Sequence, residues 1–320
     1  MRWGVLAPGA IARNWVGTLH ENTDQRVVAV ASRSLEKAQE FAGANGIERS
    51  YGDYRQLVDD PDVEIVYIAA PHSEHRKLAL LAIAAGKHVL VEKPIALNVG
   101  EAREIAAAAR AAGVFAMEAM WSRFLPQSTV IARLLADGVL GDVQTASADF
   151  GARFPSDPTS RLLDPALGGG ALLDLGVYPA WFLHFVLGAP ERVTATGSLA
   201  STGVDAQSAV ILDYQSGAQS VLTTTLFAAT PTAAAINGTL ARIEVNGFVG
   251  PGSFRLVGED ASLDWADQTG FGWREGLAYQ ATAVAQHIAD GLEESPLHSL
   301  DDTIEIMEVL ESARAQLGAL

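Results

Sequence analysis

Cysteine is absent from the 320 residues, so disulfides, thiolate nucleophiles and Cys-ligated metals are excluded. Basic side chains are scarce: 22 Lys and Arg face 38 Asp and Glu, for a formal net charge of -16. So acidic a surface repels phosphate backbones and anionic headgroups, and no run of Lys and Arg offsets it. Neither nucleic acid nor a membrane is therefore an expected partner. An anionic ligand would need a local basic spot. Long apolar runs are missing as well. The longest, such as residues 78–85, are broken by charge or Gly within a turn or so, short of the roughly 20 residues of a membrane helix. No apolar leader precedes Trp3, and a cytoplasmic protein is expected.

What is present suits a packed α/β protein. Apolar residues make up 49% of the chain, and its length exceeds what one hydrophobic core usually serves, so two domains are expected. The first third alternates strand and helix patterns. Strands are expected at 2–6, 27–31, 63–70, 88–91 and 114–120, and helices at 10–19, 34–44, 73–86 and 98–112, with a short one after Asp53. Ser34, Asp53 and Asn98 are N-cap residues and Gly113 a stop. The run Val27-Val28-Ala29-Val30-Ala31 has no polar break, as in a strand buried on both faces of a parallel sheet. This series predicts a doubly wound parallel sheet over residues 1–121.

Beyond Trp121 the pattern changes. One helix at 125–136 precedes strands at 143–150, 193–199, 208–214, 218–227 and 242–245, with helices at 171–187, 276–291 and 303–317. Residues 122–320 thus read as one α+β domain with a large open sheet, mostly antiparallel. Helices cover one of its faces. The other needs a partner, and pairing with the sheet of a second subunit predicts a homodimer or a dimer of dimers.

The turn after the first strand, Leu6-Ala7-Pro8-Gly9-Ala10-Ile11-Ala12, opens a helix. Dinucleotide folds place a Gly-rich turn there, because a pyrophosphate sits on the helix N-terminus and needs bare backbone close by. The usual three Gly would fall at 7, 9 and 12. Only Gly9 is kept, and Pro8 removes a donor. The second strand ends in Ser32-Arg33, with Lys37 one helical turn on. An acidic residue at this point would hold the ribose hydroxyls of NAD. Arg33 instead suits a 2′-phosphate through its forked, always-charged donors, which favours NADP(H) over NAD(H). Lys93, before Pro94, lies beyond the carboxyl end of a parallel strand, where such sheets bind ligands.

Ala69-Ala70-Pro71-His72-Ser73-Glu74-His75, Val91-Glu92-Lys93-Pro94, Met117-Glu118-Ala119-Met120-Trp121-Ser122-Arg123-Phe124 and Leu167-Gly168-Gly169-Gly170-Ala171-Leu172-Leu173-Asp174-Leu175-Gly176-Val177-Tyr178 recur in order along the chain. Together they resemble the glucose–fructose oxidoreductase/inositol dehydrogenase/MocA (Gfo/Idh/MocA) family, closest to its dimeric dihydrodiol dehydrogenase branch, which includes NADP-dependent xylose dehydrogenases. The resemblance implies a Rossmann domain followed by an open-sheet domain. It also implies hydride transfer between NADP(H) and the carbinol or carbonyl carbon of a polyol, cyclic diol or aldose, without a metal.

The same resemblance implies site roles. Lys93, Tyr178 and Asp174 would face the nicotinamide and the reacting oxygen. A desolvated Lys stabilises an alkoxide, and Tyr, with an ordinary pKa near ~10, is a proton donor at neutral pH. Tyr178 stands where many members of the wider family carry His. Ala7, Gly9, Ala10, Ile11, Ser32, Arg33, Lys37, Pro71, His72, His75, Glu92 and Lys93 would line the cofactor, although a capping or surface role suits either His equally well. Trp121, Arg123, Phe150 and Tyr178 would line the substrate pocket, with Phe271, Trp273 and Arg274 folding back on it; the aromatic rings also suit a core. Two other functions share the fold: an NAD-dependent glycosidase, and a non-catalytic dinucleotide sensor. Arg33 argues against the first, and Lys93 with Tyr178 against the second.

Overall fold

A computed structural model describes residues 1–155 and 157–319. The chain divides into two compact units: Met1–Trp121 with Arg274–Ile304, and Ser122–Trp273 with Glu305–Leu320. The expected single C-terminal domain over 122–320 is thereby corrected, because residues 274–304 return to the first unit. Leu277, Ala278, Ala281 and Val284 of this segment are buried, and a buried polar contact joins it to the sheet. Gln25 accepts the Trp3 indole N–H at 2.7 Å and donates to the Ala281 carbonyl at 3.1 Å. A helical pattern at 276–291 does not reveal which core it joins.

The first unit holds a six-stranded parallel sheet. Its strands are β1 (Arg2–Leu6), β2 (Arg26–Ala31), β3 (Arg49–Tyr51), β4 (Ile65–Ile68), β5 (His88–Val91) and β6 (Ala116–Glu118), ordered β3-β2-β1-β4-β5-β6. The crossovers use α1 (Ala10–Asn22), α2 (Leu35–Asn45), α3 (Tyr54–Val58), α4 (His75–Ala84) and α5 (Val99–Ala112). Ser34, Asp53 and Asn98 accept first-turn amides of α2, α3 and α5, as their residue types predict. The three residues of β3 are too few to leave a periodic signal, and this strand was not anticipated. Trp3, Trp15 and Tyr67 are fully buried; Trp15 meets Trp3 edge-on at 4.8 Å and stacks on Tyr67 at 4.2 Å. Each such ring contributes about 3 kcal/mol by burial alone.

Strand order decides where a ligand can sit. β1 pairs with β2 on one side and β4 on the other, so the crossovers leave in opposite directions there. The carboxyl ends of β1 and β4 therefore open a crevice. The α1 turn, Ser32-Arg33, Pro71-His72 and Glu92-Lys93 all follow carboxyl ends of β1, β2, β4 and β5.

The second unit carries α6 (Pro126–Ala136), α7 (Val177–Leu187) and an eight-stranded sheet built from β7 (Val143–Gly151), β8 (Arg192–Leu199), β9 (Asp205–Asp213), β10 (Gln219–Thr225), β11 (Ala233–Gly238), β12 (Ala241–Asn246), β13 (Ser253–Gly258) and β14 (Ser262–Ala266). The order is β14-β13-β12-β11-β7-β10-β9-β8, antiparallel except between β7 and β10. Three of these strands escaped the sequence. β11 is Ala-Ala-Ala-Ile-Asn-Gly, poor in the β-branched residues that mark strands, and β14 lies at an edge. Residues Pro165–Leu187 form a helical run of 23 residues, long and apolar enough by composition to cross a membrane. This corrects the expectation that no stretch reaches that length. Its apolar window is 78% buried, and α7 lies on β7 and β10.

Candidate active site

In the first unit, β1 continues to Ala7, whose N–H donates to Ala31 at 3.0 Å. Ala7 then adopts φ 59°, the left-handed conformation that the missing glycine would take freely. An alanine there costs roughly 1 kcal/mol, so the bend keeps its geometry at some strain. Gly9 caps α1 with no side-chain hydrogen bond, and no acidic residue lies in the first turn. A Cβ at Gly9 would meet nothing within 4 Å, and Ala10 and Ile11 are exposed. The N-terminal amides of this 13-residue helix thus face open space beside bare backbone, which fits a pyrophosphate.

Arg33 and Lys37 are exposed, and Ser32 is half-buried at the end of β2. The sequence missed a companion, Tyr54 at the start of α3. Burial pushes its phenol pKa up, opposed by the charge and a backbone hydrogen bond of Arg33, so the phenol stands beside that arginine. Its position in a helix with no visible motif hid it.

Pro71 is half-buried and His72 buried. His75 has no exposed surface. Its Nδ1 lies 2.8 Å from the Pro94 carbonyl and its Nε2 2.9 Å from the Ala70 carbonyl. Burial holds its pKa below the ordinary value, opposed by the hydrogen bonds to both carbonyls. The expected cofactor contact is therefore replaced by a brace between two loops. Glu92 accepts the Tyr67 hydroxyl and the Lys93 amide, and burial raises its carboxyl pKa against those bonds and the Lys93 charge. Lys93 itself is half-buried, and its bond to Pro94 is cis.

In the second unit, the glycines before Asp174 have separate tasks. Gly168 takes φ 74° to end a short 3-10 turn. A Cβ on Gly169 would lie 2.7 Å from the Leu162 carbonyl oxygen. Gly170 takes φ 121°, and a Cβ there would strike Asp205 Oδ1 at 2.3 Å. The bare backbone lets buried Asp205 reach the helix start, where Oδ2 accepts the Leu172 N–H at 2.6 Å. Nothing in the sequence around Asp205 marks it for this work.

The helix is not the uninterrupted α-helix expected from residue 171. Residues Leu172–Gly176 form a π turn that runs into α7, a feature that recurs at functional sites. Asp174 and Tyr178 are both buried at 7% exposure. Arg161, which the sequence did not single out, donates to Asp174 at 2.9 Å from half-exposed ground. Tyr178 meets Phe150 edge-on at 5.7 Å.

Trp121 is buried at 4% exposure. Arg123 is 8% exposed, with its guanidinium 4.9 Å from the Phe185 ring centroid. This is a cation–π contact. Trp273 lies over Gly250, where a Cβ would come within 2.4 Å of its ring. Arg274 donates to Asn14 of α1 instead of a pocket wall, and Phe271 is half-buried.

Residues 1–120 match the family model for the oxidoreductase family with an NAD-binding Rossmann fold, and residues 129–250 match the GFO/IDH/MocA C-terminal domain. Trans-1,2-dihydrobenzene-1,2-diol dehydrogenase of Xenopus laevis is 40% identical over 327 residues, covering 100% of this chain and 98% of that protein. A 3-ketoreductase from Actinomadura kijaniata, in complex with NADP and TDP-benzene, aligns with a TM-score of 0.84 at 27% identity over 99% of this chain and 97% of its own. Levoglucosan dehydrogenase, in complex with NADH and levoglucosan, aligns with a TM-score of 0.90 at 20% identity over 99% and 97%, a likeness of fold alone. The chain therefore belongs to the Gfo/Idh/MocA family of oxidoreductases.

Proposed function

We propose that this protein is an NADP(H)-dependent dehydrogenase or reductase acting on the CH–OH or carbonyl carbon of a cyclic diol, small polyol or aldose. The observation that carries the cofactor is the exposed Arg33 at the end of β2, beside the uncapped first turn of α1. The substrate class rests on the full-length relative that is named a dihydrodiol dehydrogenase. When bound, nicotinamide supplies the hydride exchange. Lys93 offers an ammonium to the reacting oxygen. Tyr178 passes the hydroxyl proton, and Asp174, held by Arg161, serves beside it. Ala7, Gly9, Ala10 and Ile11 take the pyrophosphate; Ser32, Arg33 and Lys37 take the adenosine phosphate.

Titrating the purified protein with NADPH and with NADH, following nicotinamide fluorescence, tests the cofactor reading. A charge-assisted contact is worth about 1.5–3 kcal/mol, so Arg33→Ala should weaken NADPH about 10- to 100-fold and leave NADH nearly unchanged. Equal binding of both cofactors to the wild-type protein would sink the NADP assignment. Turnover of trans-dihydrobenzenediol and of aldoses then ranks the substrates.

We infer further that the second unit forms a homodimer through the outer face of its sheet. Alternation buries Val210, Leu212, Leu222, Ile236 and Ile243 on the inner face. On the outer face Thr194, Ile211, Val221, Ser147 and Ala235 lie side by side in one uncharged row across five strands. Ile211 and Val221 are 43% and 39% exposed. Sedimentation equilibrium should return a dimer for the wild-type protein and a monomer for Ile211→Asp with Val221→Asp. A monomeric wild-type protein at micromolar concentration overturns the inference.

A further inference from the structure

The Glu118 of the Met117-Glu118-Ala119 stretch has no part in the chemistry above, yet it is a carboxylate with 1% exposure at the end of β6. Its Oε1 accepts the Ile95 N–H at 2.9 Å. Its Oε2 lies 3.0 Å from His298 Nε2 and 3.5 Å from the Thr303 hydroxyl. His298 is 3% exposed, and its own amide is held by Ser295 at 3.3 Å. Burying such a charge costs several kcal/mol, and an apolar residue of similar volume usually serves packing as well or better. Pairing of β5 with β6 uses backbone and needs no carboxylate. What the carboxylate adds is a grip on the amide two residues beyond Lys93.

The other anchors of the same turn complete the picture. Tyr67 holds Glu92, and His75 holds the Pro94 carbonyl. The turn from Glu92 to Ile95 is thus clamped before, at and after proline, and Lys93 is its one half-buried side chain. We propose that Glu118, backed by His298, is a positioning residue for Lys93: it locks the 93–95 turn and sets a buried anion in the field of the lysine. This rests on the reading of Lys93 as the group that meets the reacting oxygen. The titratable groups around Glu118 are His298, within hydrogen-bond reach and following the helix at 277–289, and His75 of α4 and Glu92 after β5, which feel its charge together with that of Lys93. Lys93 and Glu118 act with opposite sign on both His75 and Glu92, so both charges reach the same small volume.

The test exploits composition: the chain has four lysines, Lys37, Lys77, Lys87 and Lys93. Labelling with 13C-lysine gives four resolvable side-chain signals, and Lys93→Arg identifies one of them. Glu118→Gln keeps shape and removes the charge. Without the anion the ammonium is less favoured, so the pH midpoint of the Lys93 signal should fall by about half a unit to one unit. The basic limb of kcat/KM should fall with it. Glu118→Ala also frees the turn, and kcat should drop tenfold or more while the dissociation constant for NADPH stays within threefold, since misplacement by about 1 Å costs on the order of 100-fold. A Lys93 midpoint unmoved in Glu118→Gln overturns the proposal. So does a Glu118→Ala protein whose lost activity follows only its lost folded fraction. The lysine titration is read without substrate, so it stands apart from failure of the functional reading, which Lys93→Ala decides.

Discussion

Lys93→Ala should lower kcat/KM by about 10²- to 10⁴-fold while NADPH binds within a few-fold of the wild-type affinity. Lys93 follows the carboxyl end of β5, in the half of the sheet that the β1–β4 switch opens to a ligand. Its backbone is fixed by neighbours on both sides, and its side chain is half-buried. An oxygen that gains negative charge during reduction, or sheds a proton during oxidation, is stabilised by such a group far more in the transition state than in bound substrate. Removing it should therefore lower kcat and kcat/KM together. Lys93→Arg separates charge from proton transfer. Arginine keeps the positive charge and cannot release a proton, so partial recovery marks electrostatic stabilisation and none marks acid–base work. Wild-type turnover in Lys93→Ala would remove the lysine from the mechanism.

Much of this architecture is legible in the sequence, and the exceptions share a cause. The parallel unit announced itself because its strands are continuous apolar runs and its helices begin at Ser34, Asp53 and Asn98, whose side chains do what their chemistry predicts. The return of residues 274–304 to that unit stayed hidden, because an apolar helix face at 277–284 does not say which core it joins and the Gln25 contact is distant in sequence. The same distinction runs through the site. Lys93, Asp174 and Tyr178 could be named because they sit in recurring motifs. Arg161, Asp205 and Tyr54 could not, since each acquires its part from a partner distant in sequence or hidden inside an unremarkable helix. Arg123 and His75, also named from motifs, are buried and make contacts within the protein, to the Phe185 ring and to the Pro94 carbonyl.

Tyr178→Phe should cost about 10²- to 10³-fold in kcat with an unchanged dissociation constant for NADPH. The substitution removes one oxygen and keeps the ring, so the edge-on contact with Phe150 at 5.7 Å and the burial of α7 remain. Loss of activity without loss of thermal stability would therefore report on the hydroxyl alone. A second variant tests direction. Tyr178→His installs another proton carrier with an ordinary pKa near ~6.5 in place of ~10. In the oxidative direction this group must accept the substrate proton, so it works in its deprotonated form. The acidic limb of kcat against pH should then move to lower pH in Tyr178→His, with activity above that of Tyr178→Phe. If Phe supports wild-type turnover, the proton leaves by another route and Asp174, held at 2.9 Å by Arg161, becomes the group to replace next. If His restores rate but leaves the limb where Tyr has it, the titration belongs to a group other than residue 178, and the tyrosine serves to orient the substrate oxygen without exchanging its proton.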